Sequence, residues 1–284
     1  MESQPVAETE AFASSRALAA DSPLALCWAV WASTAYRLRR GEGALIAINL
    51  SIIALAGSGA GTQLAQSVVS ILTLALMYAY NDLHDAPEDS INPKKDQRLI
   101  ATYLAHRVTF NASMFGLKLA TVALAFATLG VRPALAAATV MTVNFLYSTL
   151  FKGVPVMDVV WCGIWGALYT YIVTTSPVLL LFVGLMTGVC HLYQTLDDRI
   201  SDERNGIVTT AVRSSVLSKT VLFSMCLLMS LVAYGQFGAI GAITAYAPFV
   251  LLFLVQRPGT GWLLTKAYYG ALWLSLLGSF RAAL

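Results

Sequence analysis

Long apolar stretches follow one another along most of this chain, and they limit it to very few architectures. Only 12% of the 284 side chains are charged, about half of the roughly 25% found in ordinary soluble domains. Eighteen basic and 15 acidic residues cannot coat a core in a sequence that is 57% hydrophobic. A spanning helix takes about 20 apolar residues, so the chain is predicted to lie in a lipid bilayer, with no room for a separate soluble domain.

Glycine, proline and charged residues divide the apolar sequence into nine predicted spans. They are residues 44–60, 63–86, 106–128, 130–149, 155–175, 177–200, 213–234, 238–256 and 261–281. Only helices or closed barrels satisfy the backbone in hydrocarbon, so an all-α bundle of nine transmembrane helices is predicted over residues 41–284. Residues 1–40 are predicted to form a polar tail and then, from about residue 13, an interfacial amphipathic helix.

The basic residues of the loops predict the orientation of this bundle. The nine spans place thirteen of them on one side: Arg37, Arg39, Arg40, Lys94, Lys95, Arg98, Lys152, Arg199, Arg204, Arg213, Lys219, Arg257 and Lys266. The other side has Arg132 and Arg281. Because cytoplasmic loops carry the excess of Lys and Arg, a cytoplasmic N-terminus in a bacterial inner membrane is predicted. This excess also accounts for the net charge of +3, so no nucleic-acid partner is implied.

Nine of the 15 acidic residues are gathered in two short windows. The first closes the second span with Asp82, Asp85, Glu88, Asp89 and Asp96, and the second closes the sixth span with Asp197, Asp198, Asp202 and Glu203. A spacing of four residues places Asn81, Asp85 and Asp89 on one helical face, unless Pro87 breaks the helix before Asp89. Clustered carboxylates repel one another unless a cation is bound, and oxygen ligands of this kind suit Mg²⁺. Both windows are therefore predicted to lie on the cytoplasmic side at one shared metal site.

Basic residues are interleaved with these acids. Lys94, Lys95 and Arg98 follow the first window, and Arg199 and Arg204 lie inside the second. Carboxylates and basic side chains together indicate a phosphate ligand that a metal ion bridges to the carboxylates. The plainer alternative is that both windows are polar loops with surface ion pairs, but two matched windows four spans apart favour a repeated, shared site.

The two windows resemble the signatures of the UbiA superfamily of intramembrane prenyltransferases. Asn81, Asp82, Asp85 and Asp89 match its Asn-Asp-x-x-Asp-x-x-x-Asp signature, and Asp198 and Asp202 match its Asp-x-x-x-Asp signature. Tyr147-Ser148, Lys152 and Asp158 resemble the loop after the family's fourth helix, and the likeness covers about residues 37–284. Leu99 stands where the family has a proline after its arginine. The stretches 92–98 and 155–158 look like the decaprenyl-phosphate phosphoribosyltransferase branch and the second window like the quinone branch, so the acceptor class stays open.

The resemblance implies an allylic prenyl diphosphate donor and a Mg²⁺ cofactor. The metal-binding and catalytic residues would be Asp82, Asp85, Asp89, Asp198 and Asp202. The substrate-binding residues would be Asn81, Lys94, Lys95, Arg98, Lys118, Tyr147, Lys152 and Arg199. Of these, Arg98 is the leading phosphate contact, so Arg98→Ala is predicted to lower turnover by roughly 10²–10³-fold, as for loss of one transition-state donor.

Aromatic residues of the fifth span are candidates for the wall of an apolar tail corridor. Trp161, Trp165 and Tyr169 recur every four residues, which places them on one helical face. Aromatic faces stabilise an allylic cation, although such a stripe in a membrane helix also serves as simple packing. His191, two turns before the second window, is interpreted as a hydrogen-bonded core residue.

Three functions are compatible with these residues. The first is Mg²⁺-dependent prenyl transfer to a small aromatic or quinonoid acceptor. The second is an intramembrane terpene cyclase of the same superfamily, in which a double bond of the substrate traps the cation. The third is a cation or phosphate transporter, but Lys118 is the one strong case of an ionisable group deep inside a predicted span, whereas a transport path would need several. A product released from the donor alone separates the second function from the first.

Overall fold

The computed structural model describes residues 23–92 and 95–280, and all regular structure in that part is helical. The α-helices are α1 (Pro23–Arg39), α2 (Ala44–Leu55), α3 (Ala60–Asp89), α4 (Gln97–Ala105), α5 (Arg107–Leu129), α6 (Val131–Leu146), α7 (Met157–Tyr171), α8 (Pro177–Arg204), α9 (Thr210–Arg213), α10 (Ser215–Thr244), α11 (Ala247–Leu254) and α12 (Pro258–Phe280). A π-helical turn, Tyr147–Phe151, continues α6. The all-α class is confirmed.

Five helical stretches are long and apolar enough to cross a membrane. They are Ala60–Asp89, Arg107–Leu129, Val131–Phe151, Pro177–Arg204 and Ser215–Leu254. Helix α2 is also apolar, but it has only 12 residues. Two of the predicted spans agree closely with helices, since α5 begins at Arg107 and α8 at Pro177. The count of nine spans and the side on which the acidic residues lie stay predictions.

Helix α3, which carries the first acidic window, runs through Pro87 and ends at Asp89. A proline removes one intrahelical hydrogen bond because it has no N–H. The helix nevertheless continues, and the N–H of Ser90 donates to the carbonyl of Ala86 at 3.1 Å. Pro87 therefore does not break the helix before Asp89, and the four-residue spacing of the window is preserved as one face.

The boundary between the seventh and eighth predicted spans corresponds to a break in α10. The break lies at Gly238, whose φ is 62° and ψ −151°. Glycine adopts a positive φ without the steric cost that a Cβ would add. The chain after Gly238 completes α10 and then turns into the eight-residue α11, so the eighth predicted span consists of two short helical pieces.

Helices α7 and α8 share the most extensive interhelical contact, and glycines permit it. A Cβ on Gly163 would lie 3.1 Å from the carbonyl oxygen of Gly184. A Cβ on Gly166 would lie 2.2 Å from Oγ1 of Thr187. Small residues let helix backbones approach closely where the membrane supplies no hydrophobic force between helices. This packing fixes α7 against the helix that carries the second acidic window.

Helix α1 packs against α3 through polar side chains rather than through a purely apolar face. Ser33 donates a hydrogen bond to Asp82, and Arg37 forms an ion pair with the same carboxylate. The hydroxyl of Tyr103 in α4 donates to the carbonyl of Ala29 at 3.3 Å. The interfacial position predicted for this segment stays a prediction, and residues 1–22 lie outside the described part of the chain.

Candidate active site

A cavity of about 200 Å³ opens where the two acidic windows meet. Its walls come from α1, α2, α3, α6, α7, α8 and α12 together with the loops that join them. Eight of the site residues predicted from the sequence line it: Asn81, Asp85, Asp89, Lys95, Tyr147, Lys152, Asp198 and Asp202. The structure thus brings residues of both windows to one cavity.

Hydrogen bonds join the two windows directly. The amide of Asn92, just after α3, donates to the hydroxyl of Ser201 in α8 at 3.4 Å. The amide of Asn205, just after α8, donates to the carbonyl of Glu88 at 3.5 Å. Because both helices end here, their carboxyl-terminal dipoles add negative potential to that of the clustered carboxylates. This end of the cavity strongly favours cations.

Two lysines partly neutralise the carboxylates. Nζ of Lys152 lies 2.8 Å from Oδ1 of Asp85 and 3.1 Å from Oε2 of Glu88. Nζ of Lys95 lies 3.0 Å from Oδ2 of Asp89. Burial opposes the charged form of both lysines, but the attraction of these carboxylates outweighs it and raises the pKa of each. Both ammonium groups are therefore charged at neutral pH.

Asp82 is set apart from the other acids of its signature. It does not line the cavity, because residues 81 and 82 lie about 100° apart around a helix. Its carboxylate instead accepts from Ser33 and pairs with Arg37, whose other guanidinium nitrogen lies 2.8 Å from Oε2 of Glu42. Burial opposes the charge of Arg37, but Asp82 and Glu42 raise its pKa well above the ordinary value. The structure thus places Asp82 in a buried network with α1 rather than among the cavity carboxylates.

Three predicted substrate-binding residues are not brought to the cavity. The guanidinium of Arg98 is exposed and lies 5.0 Å from the centre of the Trp28 ring, because α4 packs against α1. Nζ of Lys118 lies 3.7 Å from the centre of the Tyr80 ring, outside the cavity wall. Arg199 is exposed at the far side of α8. Lys94 lies outside the described residues.

Several residues that line the cavity were not predicted from the sequence as site residues. Arg37 and Lys266 were counted only as topology charges, yet both line the cavity. Nζ of Lys266 lies 3.3 Å from the centre of the Trp262 ring and donates to the carbonyl of Arg40 at 2.8 Å. A signal was available for Lys266, because an ionisable residue inside an apolar helix indicates function by default.

A group of polar side chains from α6, the π-helical turn and α8 also lines the cavity. The hydroxyl of Tyr147 lies 3.2 Å from Nε2 of His191, and the two rings meet edge to face. Oδ1 of Asn144 has no hydrogen-bond partner although the residue is only 6% exposed. All three residues line the cavity. A buried acceptor without a partner is costly, so this group is suited to a ligand that brings hydroxyl donors.

One buried carboxylate ties two loops of the cavity rim together. Asp158, which is fully buried, accepts from the backbone N–H of Thr210 at 2.8 Å and from the hydroxyl of the same residue. The N–H of Val156 donates to that hydroxyl at 2.7 Å. Val156 has a φ of 72°, a conformation that β-branched residues rarely adopt. The loop that follows Lys152 is thereby held against the loop that follows Asp202.

Among the three aromatic residues of the α7 stripe, only Trp165 lines the cavity. Trp161 instead donates from Nε1 to the carbonyl of Val143 at 2.9 Å and stacks against Phe151, with ring centres 4.3 Å apart. Tyr169 is fully buried one turn deeper. Packing is therefore the observed role of Trp161 and Tyr169.

The family model of UbiA prenyltransferases matches residues 43–259. The chain belongs to this family. This confirms the resemblance drawn from the two acidic signatures. A comparison with curated proteins gives no match.

Solved structures of UbiA homologs share this fold. A UbiA homolog from Archaeoglobus fulgidus bound to DMAPP and Mg²⁺ has a TM-score of 0.63 and 14% sequence identity, covering 88% of this chain and 99% of that chain. A UbiA homolog from the same organism bound to GPP and Mg²⁺ has a TM-score of 0.56 and 15% identity, covering 86% and 99%.

The carboxylates of this UbiA-family cavity suit Mg²⁺ that is also bound by a ligand with further oxygen donors. Within residues 23–92 and 95–280, no three His, Cys, Asp or Glu side chains converge closely enough to hold a metal ion by themselves. Mg²⁺ usually takes only one or two carboxylates and completes its shell with waters and substrate phosphates. The carboxylate oxygens at the ends of α3 and α8 therefore suit Mg²⁺ ions whose remaining coordination positions would be filled by a phosphate ligand.

Proposed function

We propose that this protein catalyses Mg²⁺-dependent transfer of a prenyl group, inside the membrane, from an allylic prenyl diphosphate to a small aromatic or quinonoid acceptor. The observation that carries the proposal is one cavity with five carboxylates and two lysines at one end and apolar side chains at the other. That division matches a donor with a charged head and an apolar tail. UbiA homologs bound to DMAPP or GPP together with Mg²⁺ support it.

The charged end would bind the diphosphate head. Asp85, Asp89, Asp198 and Asp202 would hold Mg²⁺, which supplies Lewis-acid stabilisation of the leaving diphosphate when it is bound. Lys152 contacts two carboxylates in the ligand-free arrangement. A diphosphate offers the lysines a stronger partner, so Lys95 and Lys152 exchange carboxylate for phosphate oxygens and neutralise the charge that develops during departure.

The reaction would take place where the charged and apolar ends of the cavity meet, and its steps follow from the structure of the donor. The allylic C–O bond breaks, its electron pair leaves with the diphosphate, and a ring carbon of the acceptor forms the new C–C bond. The ring proton then leaves, which restores aromaticity. Tyr147 lines the cavity beside His191, and the face of its ring stabilises the cation. The imidazole of His191, hydrogen-bonded to Tyr147, is the base proposed to take the proton.

The polar group of Asn144, Tyr147 and His191 favours transfer over cyclisation. A cyclase needs no partner for the unsatisfied oxygen of Asn144, because its substrate is a hydrocarbon chain apart from the diphosphate. A phenolic or quinol acceptor supplies the missing donor. Cyclisation of the donor remains the alternative function, and it predicts a hydrocarbon or alcohol product without any acceptor.

The test uses purified protein with Mg²⁺, dimethylallyl or geranyl diphosphate, and a hydroxybenzoate or hydroxynaphthoate as acceptor. We expect Asp85→Asn and Asp198→Asn each to nearly abolish diphosphate release and prenylated product. Asp96→Asn is the matched control, because Asp96 caps α4 outside the cavity and asparagine caps a helix equally well. Full turnover in excess chelator would overturn the proposal, and a cyclised product from the donor alone would replace it with the alternative.

A further inference from the structure

The apolar end of the cavity is closed by one residue from each of three helices. The deepest lining residues are Met77 of α3, Trp165 of α7 and Met186 of α8. Nε1 of Trp165 lies 3.0 Å from Sδ of Met77, which fixes the indole ring across this end. Trp165 thus forms the floor against which the end of a bound prenyl tail would stop.

A second layer of buried side chains lies one turn below this floor. The hydroxyl of Tyr169 donates to the carbonyl of Ser70 at 3.1 Å, and the amide of Asn49 donates to the carbonyl of Tyr169 at 3.2 Å. Phe182 in α8 is 1% exposed at the same depth. Tyr169 and Phe182 are both buried, so packed side chains fill the space directly below Trp165.

The depth of the cavity translates into a number of isoprene units. Met77 precedes Asp85 by eight residues and Met186 precedes Asp198 by twelve, which correspond to about 12 and 18 Å along their helices. One isoprene unit extends about 5 Å at ordinary carbon–carbon bond lengths. Two or three units therefore fit between the carboxylates and the floor.

We propose that Trp165 determines the longest prenyl chain that this protein accepts, and that its donors carry two or three isoprene units, as in geranyl and farnesyl diphosphate. The proposal rests on the function proposed above, since it assigns the tail of the same donor. It makes Trp165 a specificity-determining residue with no part in binding the diphosphate.

The experiment compares Mg²⁺-dependent diphosphate release from dimethylallyl, geranyl, farnesyl and geranylgeranyl diphosphate. In a filled apolar pocket even one surplus methylene costs roughly tenfold or more, so wild-type kcat/KM should fall at least about tenfold from farnesyl to geranylgeranyl diphosphate. Trp165→Ala removes the floor and should bring the two donors to within about threefold of each other. Trp165→Phe keeps an aromatic floor and should retain the wild-type order.

Trp161→Ala is the matched control, because Trp161 lies one turn away on the same helix and contacts Val143 and Phe151 outside the cavity. It should leave the chain-length preference unchanged. Melting temperatures of all variants show whether Trp165→Ala is folded, and Trp165→Leu replaces it if it is not.

Binding separates a failure of this inference from a failure of the proposed function. Thiolodiphosphate analogues of the same four chains, which are not turned over, are titrated with Mg²⁺ and followed by the shift in melting temperature. Binding that weakens beyond the farnesyl analogue in the wild type but not in Trp165→Ala supports the floor even where no product forms. Equal binding and turnover of all chains in the wild type, or an unchanged pattern in Trp165→Ala, would overturn the inference while the transfer reaction stands.

Discussion

Lys152 and Asp85 form an ion pair, with Nζ 2.8 Å from Oδ1, that joins the loop after the π-helical turn to the first acidic window. The two residues are 67 positions apart in the chain, and Glu88 shares the same ammonium group. The positive charge that would neutralise a diphosphate is therefore already present in the cavity, where Asp85 and Glu88 hold the ammonium group of Lys152 in place.

Lys152→Gln should lower turnover by roughly 10²–10³-fold, as expected for loss of one group that stabilises transition-state charge. Lys152→Arg keeps the charge but changes its geometry, so an intermediate loss is expected. The measurement is steady-state diphosphate release at saturating Mg²⁺. Near-normal turnover of Lys152→Gln would show that the lysine only balances the charge of Asp85 and Glu88.

Arg98→Gln should retain nearly normal turnover, because its guanidinium lies over Trp28 outside the cavity. The expectation from the sequence was the opposite, a loss of roughly 10²–10³-fold on removing this guanidinium. The same diphosphate assay decides between them. A large loss with an unchanged melting temperature would return Arg98 to the phosphate site.

Asp82→Ala should mainly destabilise the fold. Its loss leaves Arg37, which is 8% exposed, with Glu42 as its remaining carboxylate partner. Breaking a buried ion pair costs on the order of 3–5 kcal/mol, so the melting temperature in detergent should fall clearly. The double variant Arg37→Met/Asp82→Leu should recover part of it, and an unchanged melting temperature of Asp82→Ala would contradict the assignment of Asp82 to this network.

Asp158→Asn should lower the melting temperature and kcat only mildly, whereas Asp158→Ala should lower them severely. An asparagine oxygen still accepts from the N–H of Thr210, and its amide can donate to the hydroxyl that Asp158 now contacts. Alanine leaves two buried donors of Thr210, its N–H and its hydroxyl hydrogen, without an acceptor, at about 1–3 kcal/mol each. Melting temperature and kcat are measured together; an Asp158→Asn enzyme as inactive as Asp85→Asn would place Asp158 in the chemistry.

Lys118→Met should keep wild-type turnover and donor KM. Its ammonium lies over the ring of Tyr80 and does not line the cavity, and methionine fills a similar volume without the cost of a charge in the membrane. A rise in KM for the donor would show that Lys118 reaches the substrate after all.

The acidic face was predictable because its information is local. Asn81, Asp85 and Asp89 recur with the period of one helix, and a second window with the same period made a shared site the simplest arrangement. Asp82 was misplaced because a signature groups neighbouring residues, whereas a helix separates them by about 100°. Its actual partner, Arg37, is 45 positions away, and no local pattern reports such a pairing.

Arg98 and Lys266 show the same limit of sequence-based prediction. Arg98 was predicted at the site and lies outside the cavity, whereas Lys266 was not predicted there and lines it. The spacing of Arg98 from the first window did not reveal that Gln97–Ala105 is a separate helix packed against α1. Lys266 was counted with the loop charges because it lies near the start of the predicted ninth span, whereas in the structure it lies inside α12 and lines the cavity. Tertiary packing decides both positions, and sequence periodicity alone does not contain it.

The contact between Asp158 and Thr210 couples the two rim loops mechanically. Lys152 precedes one of these loops and Asp202 precedes the other. A displacement of either rim loop would therefore move a cation and an anion of the cavity together.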